Sequence, residues 1–453
     1  MRKEPGLESS KARTWIAGFF VALPTVFFLT FLVRKALDIP FLDDYDALLD
    51  CLNHLATLTT VSSKAWYLLT LQHNEYKLIF GEGVAWLQLS IWGHVDFRIL
   101  SAVGNGFIFL LAVLLWKMFL PTERDWTTRL ALFIPASWLL FQLEYYGTLN
   151  WAMAGLQNLP VLVFSLGAIY FLVRAERWAF CGALVLVVLA VSASGNGMVV
   201  LPIGLLILAW PLRFERIVAW LLISGCCVAA YAYRYNPMLS QNSEHRSVFA
   251  TLIRLSPAYV LSFIGGAAGL PHFIGFSLLL GILLCGLFLY MARRGYLRKN
   301  RAASYCVLFL LLTSIGVAGI RSDFGVAQSI SSRYTIYSVL FLIFAWFAIV
   351  EEFVRYGRRP LLRNRIYLCA LLFAVLFSLL ADGVGSVQIV RRDRALVQAM
   401  REFEHPASSQ VPIGPAPALA PPITRAVSDT YNLRARTIMN QSTLLGIYRP
   451  PNY

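Results

Sequence analysis

An all-α, polytopic transmembrane helix bundle is the fold class that this sequence predicts, and three observations predict it. Apolar runs of about 20 residues recur along the chain, long enough to cross a hydrocarbon layer about 30 Å thick. Hydrophobic residues make up 58% of the 453-residue chain and charged ones 14%, with a mean hydropathy of +0.64, a balance that a water-soluble domain does not need. Lysine and arginine, which give a formal charge of +15, gather in short segments between alternate apolar runs.

The first span, at about residues 14–37, follows Arg2, Lys3, Lys11 and Arg13. Its apolar part is too long for a signal peptide, and no small-x-small cleavage site precedes Asp43. It reads as a retained signal anchor with a cytoplasmic N-terminus. The polar loop Pro40-Phe41-Leu42-Asp43-Asp44-Tyr45-Asp46 comes next, and then a semi-polar stretch at 64–92. Its later part is interrupted by Glu82 and Gln88, so it reads as helices lying in the outer interface.

Spans two to seven are expected at about 97–119, 130–145, 156–173, 179–193, 198–210 and 218–233. Residues 247–269 are helical in pattern but lie at the outer surface or re-enter, because the next span must end inside. Spans eight to eleven follow at about 273–291, 303–320, 334–350 and 366–380. The sequence therefore divides into a membrane domain, 1–384, and an outer C-terminal tail, 385–453. The tail holds an amphipathic basic helix at 389–404, a Pro/Ala/Ser linker at 406–422, and a last segment too short to bury a core alone, expected to dock on the outer loops.

This arrangement of about eleven spans places 21 of the 39 Lys/Arg in inner segments, 10 in short outer segments and 8 in the tail. Enrichment in short inner loops is what positive-inside insertion requires. The basic excess follows the membrane, and no nucleic-acid partner is expected. Seven cysteines, at 51, 181, 226, 227, 285, 306 and 369, show no Cys-x-x-Cys or Cys/His spacing for zinc. No P-loop or dinucleotide fingerprint is present, and the inner loops are too short for a nucleotide-binding domain.

Polar residues of chemical interest fall instead at the outer face: all six histidines (54, 73, 94, 245, 272, 405), with Asp43, Asp44, Asp46, Glu75, Glu144, Asn196, Glu244, Arg321, Asp323 and Arg333. Leu42-Asp43-Asp44-Tyr45 followed by Gln72-His73-Asn74-Glu75-Tyr76-Lys77 resembles the "DDW … HNEHR" opening of bacterial GT-C-like membrane glycosyltransferases. Ser194-Gly195-Asn196-Gly197 and Ser332-Arg333-Tyr334 are similar to later landmarks of that group, and the likeness covers about residues 15–380. Tyr45 stands where the group has Trp, and Tyr76-Lys77 where it has His-Arg.

The resemblance implies an enzyme of the bacterial inner membrane with its active site and C-terminus outside the cytoplasm. Such enzymes move a sugar from a polyprenyl phosphate such as undecaprenyl phosphate to an envelope glycan, lipid or protein acceptor (pilin is one example), usually with inversion. A carboxylate within reach of the acceptor serves as base, and Asp44 is expected in that role with Asp43 as rival. Arg333, with Arg321 second, is expected to hold the donor phosphate, because the planar guanidinium pairs bidentately. The plainer reading of Arg333 is an interfacial arginine reaching to head groups.

Glu75, His73, Asp46, Tyr45, Glu144, Asn196 and Tyr334 are the expected substrate contacts. Glu75 and His73 alternatively cap an interfacial helix, Glu144 with Tyr145 and Tyr146 alternatively belongs to an aromatic belt, and Asn196 to a turn. No cofactor is required, although Asp43 and Asp44 permit a divalent cation, Mg or Mn. Two other classes remain open: a transporter or flippase of lipid-linked sugars, and a non-enzymatic envelope assembly protein. Charges at helix ends rather than at mid-bilayer argue against the former.

Overall fold

The computed structural model describes residues 5–119, 125–210, 212–236, 256–270, 273–354, 360–404 and 425–451. Glu244, His245, His272, His405 and the linker 406–422 lie outside the described residues. The helices run α1 Pro5–Arg34, α2 Asp50–Thr57, α3 Val61–Thr70, α4 Ile79–Trp92, α5 Phe97–Met118, α6 Trp126–Leu140, α7 Ala152–Val173, α8 Arg177–Ala193 and α9 Val200–Ala209. They continue as α10 Phe214–Ala232, α11 Pro257–Ile264, α12 Gly275–Arg293, α13 Tyr296–Lys299, α14 Arg301–Arg321, α15 Ser332–Ile349, α16 Pro360–Glu404 and α17 Arg425–Leu444. No strand occurs among the described residues.

Eight helices are long and apolar enough to cross a membrane, which makes this a multi-pass helical membrane protein. Each expected span has a helix, but three of them are short. The third becomes α6, 15 residues with Pro135 inside; the fifth and sixth become α8 and α9, of 17 and 10 residues. Between the last two, Ser194-Gly195-Asn196-Gly197 leaves the α-helix and tightens into a 3₁₀ turn. Glycine on both sides of Asn196 favours that break.

The sequence also suggests a stop near residue 380 that does not exist. Span eleven and the tail's basic helix are one helix, α16, of 45 residues. The segment between them contains glycines but no proline, so no backbone hydrogen bond is lost there. One of these glycines has a packing role: a Cβ on Gly385 would come within 2.1 Å of the Leu143 carbonyl oxygen. α16 can thus lie directly on the loop that follows α6.

Two apolar cores result. The larger fills the bundle around α15, whose spanning segment is 83% buried against 11% for the peripheral α10. The smaller sits at the end of the bundle where α1 finishes, hereafter the Asp end. It gathers Phe41, Tyr45, Leu48, Leu52 and Leu55 with Leu396 and Met400 of α16 and Ile438, Met439 and Tyr448 from α17 and the residues after it. Residues 435–448 therefore bury their apolar side against the polar loop's helices. Polar contacts fix the register: Asn53 Nδ2 donates to the Ile438 carbonyl at 3.2 Å, Ser442 Oγ to Asn53 Oδ1 at 2.9 Å, and Tyr448 OH to the Asp38 carbonyl at 2.6 Å.

Candidate active site

The loop after α1 turns sharply. Leu42 holds a positive φ of 47°, a conformation that costs a side-chain-bearing residue about 1–2 kcal/mol. The chain then winds into a π-helical turn, Asp44–Leu49. This geometry gives the neighbouring carboxylates different surroundings. Asp44 points inward and is 1% exposed, accepting from the Met153 N–H at 2.7 Å and the Phe41 N–H at 2.9 Å. Burial pushes its pKa up to about 7 against the pull of those two donors. Asp43 points outward, and its side chain keeps 37% of its accessibility.

Asp44, expected as the base, is thus the buried one of the pair, and Asp43, its rival, the more exposed. Both Asp44 oxygens are committed to backbone donors inside the fold. Asp43 is the reachable one. It is open to solvent yet crowded enough that desolvation raises its pKa, while His73, Arg333 and Arg321 pull it down. The two Asp44 oxygens, expected as possible ligands for Mg or Mn, are taken by the Met153 and Phe41 N–H groups. Among the described residues no group of three or more His, Cys, Asp or Glu is placed to hold a metal ion.

His73 comes from a tight turn in which His73 and Tyr76 exchange both backbone hydrogen bonds, at 2.8 and 2.9 Å. Asn74 takes the left-handed position at φ 50°, which asparagine tolerates well. His73 Nε2 stands 4.0 Å from Asp43 Oδ1 and 3.1 Å from Asn74 Nδ2. The next residue, Glu75, pairs with Arg321 at the end of α14, and the same guanidinium donates to Tyr76 OH at 2.6 Å. Burial pushes the Tyr76 phenol well up, so it remains a neutral partner for that arginine.

The turn is anchored by a buried cation. Lys77 is 0% exposed, and its ammonium donates to the carbonyls of Leu69, Ala230 and Tyr233 at 3.2, 3.2 and 2.6 Å. These carbonyls close α3 and α10, where helix dipoles favour positive charge. Burial still lowers the Lys77 pKa.

α15 brings the remaining parts. Arg333 opens it, lies 5.3 Å from the centre of the Tyr334 ring, and acts electrostatically on Asp43 and Tyr76. Among the described residues no carboxylate lies in ion-pair reach of Arg333, unlike Arg321. Tyr334 packs on Phe263 at 5.4 Å, and one turn on, Tyr337 OH accepts from Asn196 Nδ2 at 2.8 Å. Asn196 thus borders the site from the 3₁₀ turn, with its Oδ1 buried and unpartnered.

Glu144 sits in the loop after α6, outside the helix. Burial pushes its pKa up to about 8, and its Oε2 has no partner. It adjoins the cluster through Tyr146, which hydrogen-bonds Ser332, and through Gly147, where a Cβ would meet Ser332 Oγ at 2.3 Å.

Asp43, His73, Glu75, Arg321, Arg333 and Tyr334 are therefore brought together, with Asn196 and Glu144 at the margins. Two expected substrate contacts fall elsewhere. Tyr45 is 1% exposed within the smaller core, and Asp46 pairs with Arg434 Nε at 2.6 Å, tying the loop to α17.

Two positions that the sequence did not single out prove structural. Asp382 accepts from the Leu143 N–H at 3.0 Å. Arg392 is buried, donates to the Tyr146 carbonyl at 3.1 Å and lies 5.5 Å from the Phe41 ring centre. Both project from α16 and clamp the two loops that frame the site. An acid set among Leu379, Leu380, Val384 and Val387 was the available signal for Asp382.

Among the described residues the arrangement offers one reachable carboxylate, one guanidinium without a carboxylate partner and a second held by Glu75, all at the end of an apolar bundle. No protein-family model, no curated protein and no solved structure matches this chain.

Proposed function

We propose that this protein is a membrane glycosyltransferase that takes a sugar from a polyprenyl phosphate and transfers it to an envelope glycan, lipid or protein. The observation that carries the reading is the convergence of Asp43 with Arg321 and Arg333 beside the membrane-embedded bundle. In this reading the Asp43 carboxylate accepts the acceptor's O–H proton as that oxygen attacks the anomeric carbon. The bond from that carbon to the phosphate oxygen breaks with inversion, and its electron pair leaves with the polyprenyl phosphate. Arg333 balances the departing charge, while Arg321, already engaged by Glu75 and Tyr76, shapes the wall beside it.

A carboxylate whose pKa is raised is a stronger base than an ordinary aspartate, which suits Asp43 to a hydroxyl acceptor. The same reading places the Asp end outside the cytoplasm of a bacterial cell, in keeping with the segregation of basic residues. No step of this reading calls for a metal.

The test is complementation of cells lacking this protein with wild type, Asp43→Asn or Arg333→Gln at matched membrane levels. Intact-mass spectrometry of envelope glycolipids and surface proteins is the readout. A hexose- or pentose-sized increment restored by wild type and by neither variant supports the reading and identifies the acceptor. Equal restoration by all three would sink it and bring the transport and assembly readings forward.

A further inference from the structure

We propose that the groove between the end of α1 and the projecting part of α16 binds the phosphate of an anionic phospholipid. The proposal does not rest on the enzymatic reading. α16 leaves the bundle as a two-sided helix. Ile389, Arg392, Leu396 and Met400 are buried on one side, and Val390, Arg394, Val397 and Arg401 form the other at helical spacing.

That second side faces Lys35, the residue after α1 ends at Arg34, across a cavity of about 560 Å³. Lys35, Arg394 and Arg401 supply three cations. Asp393, the carboxylate in the lining, is shared with Arg392 at 3.9 Å, so positive charge remains in excess.

Position and lining specify the occupant. The cavity opens at the level where the apolar run of α1 stops, which is where lipid head groups lie. Val390 and Val397 give it apolar walls. Arginine and lysine at the head-group level favour anionic lipid, and two guanidiniums with an ammonium suit a phosphodiester. Free phosphate would match the cations but not the apolar walls.

The full-length protein would be reconstituted in nanodiscs of equal phosphatidylglycerol and phosphatidylcholine, released, and its retained lipids counted by native mass spectrometry. Wild type is expected to retain phosphatidylglycerol at least about fivefold over phosphatidylcholine. Lys35→Ala/Arg394→Gln/Arg401→Gln should bring the two near parity with an unchanged melting temperature. Arg394→Glu alone, at an exposed position, asks the same question with less risk to packing and should at least about halve the ratio.

A control at the opposite end of the bundle, Arg177→Gln/Arg213→Gln/Arg293→Gln, should leave the ratio as it is. The proposal is overturned if the first triple variant keeps the wild-type ratio, or if the control lowers it equally. It is also overturned if inorganic phosphate alone, added to protein in detergent, leaves an adduct that the Lys35 variant loses.

Discussion

Glu351 and Glu352, where α15 stops, and Asp43 with Arg333, near where it starts, are all charged groups set at the margin of one helix. Glu351 accepts from Tyr296 OH at 2.8 Å and from Asn300 Nδ2 at 3.0 Å, and Asn300 donates to the Met118 carbonyl as well. Glu352 pairs with Lys299 and stands 3.8 Å from Arg294. Both carboxylates are nearly inaccessible, and that end of the bundle is a completed joint between α5, α13 and α15. At the Asp end, Asp43 has His73 at 4.0 Å and stays open to solvent, while Arg333 has no carboxylate in reach among the described residues.

A scaffold satisfies its charges internally. A site keeps some for a partner that arrives later. The same contrast recurs over a single residue step, because Asp44 is buried and hydrogen-bonded while Asp43 is open and belongs to the proposed site.

The largest effect expected is on turnover. Asp43→Asn should lower sugar transfer by at least about 100-fold while the melting temperature stays within the error of the measurement. A drop in thermal stability of more than about 1 kcal/mol would erase the distinction between the two aspartates. Second, Glu351→Ala should destabilise the fold by about 3 kcal/mol by leaving Tyr296 and Asn300 donors buried without it, with turnover per folded molecule unchanged. A loss of turnover without a loss of stability would mean that this end is no mere joint.

Third, Asp44→Asn should cost about 1–3 kcal/mol, because an amide nitrogen replaces one of the two oxygens that accept from Met153 and Phe41. The pH dependence sharpens this. With a folded pKa near 7 against the ordinary 3.8, Asp44 keeps a proton that the unfolded chain has lost. Its contribution to stability therefore falls as pH rises from about 4 to about 7, by up to roughly 4 kcal/mol. Chemical denaturation at pH 5 and pH 8 should show the gap between wild type and Asp44→Asn narrowing at the higher value; a constant gap would place the Asp44 pKa outside that window. The smallest effect is at Asn74, where Asn74→Ala should cost about 1 kcal/mol through its left-handed φ, read as a small shift in the same denaturation curve.

Much of the bundle is legible in the sequence because apolar length and basic loops report directly on crossing a membrane. Three spans came out short, and one stop did not exist, because local breaks depend on what packs across them. Pro135 sits inside α6, whereas Gly383 and Gly385 let α16 continue. The residue types of the site were visible as polar groups between apolar runs. Their pairing was not: Asp43 and Asp44 are equivalent in the sequence, and a strained Leu42 with a π-turn buries one and leaves the other exposed. Asp46 was likewise indistinguishable from a ligand until Arg434 appeared beside it. Contacts between residues nearly 400 positions apart leave no local pattern to read.

Those distant contacts bear on biosynthesis. The helices that follow the Asp43 turn are completed by Ile438, Ser442 and Tyr448, and the hydrogen bond from Tyr448 to Asp38 spans 410 positions. At translation speeds of about 5–20 residues per second, the loop waits roughly 20–80 s after synthesis for the residues that close its core. Until then, its apolar side chains need shelter from the membrane surface or from a chaperone. The part of the molecule that leaves the ribosome among the first is thus among the last to be finished.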